Sequence, residues 1–206
     1  LLSEILGAAK SVTASELLVR CLGCSADGAI IYRARRADSE ADVSNYCHNA
    51  SKELGPPPPS KASDGRMNPR GISVFYGALS SDVAVSEVRP SVGSRVVVGE
   101  FTPTRALKVL DLPKFGECLK PLPDSVFAPG YHDQVARQRF LNVFHSLIVK
   151  PIQPGHEALE YVPTQAVAEY VVNVLGFDGL LYASAQHGAV GDAVNALAWG
   201  LDNQTL

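Results

Sequence analysis

Residues 65–90 read GRMNPRGISVFYGALSSDVAVSEVRP, and the order of signals within them decides how the chain folds. Gly65, Asn68-Pro69 and Gly71 mark 65–71 as a turn, because these residues tolerate or impose backbone angles that interrupt regular structure. ISVFYGAL (72–79) is β-branched and aromatic, which predicts a strand. Ser80, Ser81 or Asp82 then offers an N-cap for a short helix over roughly 82–88, which must stop before Pro90. Turn, strand and short helix therefore follow one another directly.

The flanking chain extends the pattern. AIIYRAR (29–35) predicts a strand that carries Tyr32 and Arg33, and SRVVVGEF (94–101) and ALKVLDL (106–112) predict two more. Val135, Phe140, Val143, Phe144 and Leu147 recur at helical spacing and predict a helix over 131–148. Thr164 can cap a second helix, about 164–175, that ends at Gly176. FDGLLYAS (177–184) and AVNALAW (193–199) read as the last strands. Strands and helices do not alternate regularly. The expected class is α+β, with a mixed or antiparallel sheet and flanking helices, and not a doubly wound parallel sheet.

Two segments read differently. Leu2, Ile5, Leu6, Ala9, Leu17 and Leu18 recur at helical spacing, so 1–28 is expected to be an N-terminal helical extension and 29–206 the main domain. Residues 37–65 read as a long polar loop whose Pro56–Pro59 run must be extended.

Bulk composition excludes several classes. Hydrophobic residues make up 46% and charged residues 19%, which is ordinary for a packed domain, and the formal net charge is −3. A general electrostatic grip on nucleic acid or an anionic membrane is therefore not expected. No run of eighteen apolar residues predicts a spanning helix, and LLSEILGAAK lacks the basic start of a secretory signal, so the expected location is the cytoplasm. Cys21 and Cys24 have ligand spacing, but no second CxxC follows, and reduced cysteines are the expectation. His48, His132, His145, His156 and His187 show no metal spacing, so no metal is expected. No Gly-x-Gly-x-x-Gly or Walker loop is present, and Ser184 lacks the Gly-x-Ser-x-Gly elbow of a nucleophile.

Polar residues in apolar settings are the remaining signal. Arg33 lies within an apolar strand, Arg66 within a glycine-flanked turn and Tyr76 mid-strand. Glu87 ends a short helix whose neighbours are Val83, Ala84, Val85 and Val88. A carboxylate buried there is costly unless paired or used. A structural pair with Arg33 or Arg66 satisfies that requirement as well as catalysis does.

Several separated motifs carry a family resemblance. GRMNPRGISVFYGALSSDVAVSEVRP, the preceding IYRAR (31–35) and the later YVPTQAVAEYVV…FDGLLYAS…VNALAW (161–199) together resemble the RES-domain family, in order, over about 29–200. The resemblance implies a fold like the ADP-ribosyltransferase toxins and NAD⁺ breakdown, often by the toxin of a toxin–antitoxin pair. Carried over by position, Arg33 and Arg66 take the family's two arginines, Tyr76 its strand tyrosine, Glu87 its glutamate, Ser184 its serine and Asn195 an asparagine near the end. Met67 stands where tryptophan is frequent, and Trp199 where phenylalanine is; neither change removes a polar group.

Chemistry gives those residues roles. The nicotinamide–ribose bond breaks through an oxocarbenium-like state, and a carboxylate near the ribose, Glu87, stabilises that charge. Arg33 and Arg66 offer planar forks for the pyrophosphate. Tyr76 offers a flat face for the ring, and Ser184 and Asn195 offer neutral hydrogen bonds. The implied activity is an NAD⁺ glycohydrolase, in which NAD⁺ is substrate and no cofactor is needed. The implied biology is a bacterial toxin or secreted effector with a neutralising antitoxin or immunity protein. A protein ADP-ribosyltransferase, an NAD⁺ phosphorylase and a non-enzymatic interaction module stand as alternatives. Val85, two positions before Glu87, is not the second acid that protein-modifying relatives of the fold often place there.

Overall fold

Short alternating runs such as IYRARRA and VFYGA become strands because alternate side chains find opposite packed faces. The computed structural model describes residues 19–23, 29–114, 125–149, 157–184 and 194–199. Its strands are β1 (Val19–Leu22), β2 (Ile31–Ala37), β3 (Val74–Ala78), β4 (Arg95–Phe101), β5 (Leu107–Asp111), β6 (Gly179–Ala183) and β7 (Val194–Trp199). Its helices are α1 (Glu40–His48), α2 (Ala50–Glu53), α3 (Ser81–Glu87), α4 (Tyr131–Val149), α5 (Glu157–Glu160) and α6 (Val162–Asn173).

The strands form one seven-stranded sheet in the order β1-β5-β6-β7-β3-β2-β4. Only β5 and β6 run parallel; the other neighbours are antiparallel. A parallel pair needs a long crossover, and the chain between β5 and β6 carries α4, α5 and α6. The architecture is α+β with a mixed, mainly antiparallel sheet and flanking helices, as expected.

Alternation divides β2, β3 and β6 between two environments. Ile31, Phe75, Phe101 and Leu181 join Leu22, Leu54, Leu107 and Val109 in one buried cluster. Phe75 and Phe101 meet edge to face there at 5.1 Å. Ala78 packs instead with Val83 and Ala84 of α3, and Tyr32 and Ala34 lie against them. Gly77 permits close strand packing, because a Cβ there would sit 2.5 Å from Ile31 and 3.0 Å from the Tyr32 carbonyl.

Four expectations change. Residues 37–65 are not an irregular loop: they hold α1, α2 and a 3-10 turn at Pro59–Lys61. Ser39 and Asp42 form a capping box that starts α1. Tyr46 then packs under the Arg35 guanidinium at 4.6 Å, and Arg35 pairs with Glu53 at 3.0 Å. Pro58 is extended, but Pro59 opens the 3-10 turn, a position where its missing N–H is no loss. The helical reading of 1–28 gives way at Val19–Leu22 to β1, whose Leu22 is buried opposite Leu107; residues 1–18 and 24–28 lie outside the described residues. Cys21, on that exposed edge strand, is disulfide-bonded where reduced cysteines were expected, and Cys47 is free and exposed. The second predicted helix begins two residues earlier, so Thr164 lies inside its first turn and does not cap it.

Candidate active site

Pairing register builds the floor of a cleft. Tyr182 pairs with Asn195, Asn195 with Ala78, and Ala78 with Tyr32. Directly opposed residues share a face, so this row crosses β6, β7, β3 and β2 on one side of the sheet. Ala34, Tyr76 and Ser184 lie two positions from members of the row and share that face. A cleft of about 230 Å³ lies above it, bordered by Tyr32, Ala34, Tyr76, Ala78 and Tyr182 below and by Ala84, Glu87 and Val88 of the α3 end.

Glu87 is the last residue of α3. Ser80 is the N-cap, and the helix stops because Arg89 adopts φ 44° directly before Pro90. Sequence patterning placed the carboxylate in an apolar setting; it is exposed, because the final turn overhangs the cleft mouth. The Ser184 hydroxyl donates to Glu87 Oε1 at 2.6 Å. Ser184 itself is only 3% exposed, so its hydroxyl holds the carboxylate from below. These residues are 97 positions apart in sequence and are brought together by the sheet.

Tyr76 is held as firmly. Its hydroxyl donates to Asn68 Oδ1 at 2.6 Å and accepts from Met67 N at 3.3 Å. Burial pushes its phenol well above the ordinary range, against the smaller opposing effects of the Met67 N–H and the Arg66 charge. Asn68 is the hub of the 65–71 turn: buried, it donates Nδ2 to the carbonyls of Ser63, Pro69 and Ile72. The first turn of α6 clamps the same segment. Gln165 donates to Gly65 O at 2.8 Å and Asn68 O at 3.0 Å, and Thr164 Oγ1 donates to Arg66 O at 2.5 Å. Gly65 is required here, since a Cβ would meet Asn68 Oδ1 at 2.4 Å and the Tyr76 hydroxyl at 2.5 Å.

The two arginines part company. Arg66, half-buried on the clamped turn, acts electrostatically on both Tyr76 and Tyr182. Arg33 borders the cleft between Tyr32 and Ala34, but its guanidinium is engaged on the other face. It donates to Gly55 O at 2.9 Å and lies 5.3 Å from the Phe75 ring centroid. Desolvation, with the Arg35 charge adding to it, lowers its pKa to about 10, so it remains a cation at neutral pH. Of the two arginines that could pair with Glu87, Arg33 thus has its guanidinium on the opposite face, because adjacent strand residues face opposite ways. Asn195 occupies the register position between Ala78 and Tyr182; its side chain lies outside what is described.

A family model described as the RES domain matches residues 30–204. The chain belongs to the RES-domain family. No curated protein matches it. Among solved structures, this RES domain is similar to the crystal structure of the M. tuberculosis MbcT–MbcA toxin–antitoxin complex, at 16% identity over 87% of this chain and 77% of that one, with a TM-score of 0.40.

Sequence reasoning passed over Tyr182, Asn68 and the clamp from α6. Tyr182 had a signal, since it stands two residues before Ser184 on a strand and must share its face. Among the described residues no cluster of three or more His, Cys, Asp or Glu is placed to hold a metal, and no helix is long and apolar enough to cross a membrane.

Proposed function

We propose that this RES domain cleaves the nicotinamide–ribose bond of NAD⁺ and that water is the acceptor. The observation that carries this reading is the Glu87 carboxylate, fixed by Ser184 at 2.6 Å over a cleft lined by Tyr32, Tyr76 and Tyr182. At about 230 Å³ the cleft is smaller than the roughly 300–1,000 Å³ of sites that enclose a drug-sized ligand. It suits one ring and its sugar, with the rest of the dinucleotide running out along the open mouth.

In the reaction the C1′–N bond breaks and its electron pair passes to the pyridinium nitrogen, which leaves as neutral nicotinamide. Positive charge develops on the ribose, beside Glu87, and a preoriented anion stabilises that state more than the ground state. The leaving group needs no proton, so one carboxylate suffices. Water oxygen then bonds C1′ and releases a proton, giving ADP-ribose. Arg66 is the pyrophosphate-facing cation in this reading, and Asn195 adds a neutral hydrogen bond. Tyr76 presents its ring, and Arg33 holds the wall from behind.

Val85, half-buried two positions before Glu87, supplies no second acid to orient a protein acceptor, and this favours water over transfer to protein. NAD⁺ depletion of this kind suits a bacterial toxin or effector acting in the cytoplasm and restrained by an antitoxin or immunity protein. The test is direct: purified protein is incubated with NAD⁺, and nicotinamide and ADP-ribose are measured. Equal release of both supports hydrolysis. Label on protein, or a phosphorylated ADP-ribose, moves the acceptor. Bound NAD⁺ without nicotinamide release sinks the reading.

A further inference from the structure

Two tyrosines approach Glu87 from the sheet, and their hydroxyls differ in one respect. The Tyr76 hydroxyl is committed to Asn68 and Met67. The Tyr182 hydroxyl has no hydrogen-bond partner among the described residues, and the residue is half-buried in the cleft wall. A phenol hydroxyl on a cleft wall that no protein group engages is open to a ligand that enters the cleft. Tyr182 shares the face of Ser184 by strand alternation and lies within electrostatic reach of both Glu87 and Arg66. Burial, with the neighbouring Tyr76 and Glu87 adding to it, holds this phenol protonated far above neutral pH, so a donor is always present.

We infer that the Tyr182 hydroxyl is a ligand-contacting group that hydrogen-bonds a hydroxyl of the ribose next to the scissile bond. The inference rests on the NAD⁺ reading and adds a recognition residue to it. The ribose is the assigned partner because Tyr182 stands two residues from the serine that holds Glu87. The adenine end, by contrast, extends beyond so small a cleft.

Tyr182→Phe removes only the hydroxyl. The expected result is a five- to tenfold rise in KM for NAD⁺ with kcat nearly unchanged, as for a lost uniform contact. Calorimetry in the Glu87→Gln background separates the ligand's parts: the penalty should appear with NAD⁺ and with nicotinamide riboside, and should vanish with ADP. Thermal unfolding controls for a merely structural role, which would lower the midpoint and leave binding by the folded protein untouched. Wild-type turnover with an unchanged Tyr182→Phe KM overturns the inference alone, as does a penalty that persists with ADP. A wild type that neither binds nor cleaves NAD⁺ overturns the functional reading, and this inference with it.

Discussion

The two faces of the sheet use the same strands for opposite ends. On one face Ile31, Phe75, Phe101 and Leu181 close a dry cluster, and the polar group among them, Arg33, is tied to the Gly55 carbonyl. On the other, Tyr32, Tyr76, Tyr182 and Ser184 surround a cleft under Glu87. Neighbouring residues in one strand thus belong to different chemistries. Tyr32 and Arg33 sit side by side, and only the tyrosine side chain is turned to the cleft. A polar residue in an apolar strand is therefore not evidence of a ligand until its face is known.

The largest expected effect is at Glu87. Glu87→Gln keeps the shape and the Ser184 contact but removes the charge. Nicotinamide release should fall by about 10²–10³-fold or more, the scale of losing one preorganised electrostatic group. Because Glu87 is exposed, thermal unfolding should hardly move. Undiminished turnover in this variant would remove the chemical meaning of the cleft face altogether.

The arginines test the comparison itself. Arg66→Ala should weaken NAD⁺ binding by about 10–100-fold, the equivalent of one charged hydrogen-bonding group. Arg33→Ala should act mainly on stability. It leaves the Gly55 carbonyl without its donor and strips packing from Phe75, so the fold should lose about 1–3 kcal/mol in denaturant unfolding. Affinity of the folded variant for NAD⁺ should change far less than for Arg66→Ala. Equal losses of affinity in the two variants would mean that Arg33 turns into the cleft when ligand binds.

Legibility followed physical locality. β2 to β7 and α3 stand out in sequence because β-branched and apolar runs are bounded by Gly, Pro and Ser. α1 and α2 lack an apolar stripe, and residues 37–65 carry a proline run, so periodicity reads them as loop. The Ser39–Asp42 box was the local sign of a helix start. β1 is four edge residues, too short for any period. Glu87, Ser184, Tyr76 and Arg66 were found through motif order, yet their assembly was not legible, since it joins positions 97 apart through strand register. The facing of Arg33 was readable from alternation with Tyr32, but only once β2 is known to be a regular strand without a bulge.

The smallest effect concerns Tyr76, where the cleft face borders the clamped turn. Tyr76→Phe leaves Asn68 Oδ1 without its donor and Met67 N without its acceptor, at a cost of about 1–2 kcal/mol near pH 8. The folded protein keeps this phenol neutral well above its ordinary range, whereas in the unfolded chain it ionises near pH 10. A group whose folded pKa is raised contributes stability that is full below the unfolded value and is lost as pH rises above it. Wild type should therefore lose stability above about pH 10 faster than Tyr76→Phe, by up to about 1.4 kcal/mol per pH unit. The gap between the two proteins should narrow accordingly in unfolding curves taken from pH 8 to 11. A constant gap would mean that the Tyr76 phenol ionises as readily in the folded protein as in the unfolded chain. The 65–71 turn would then leave it open to water, and the cleft face would lose its firmest wall.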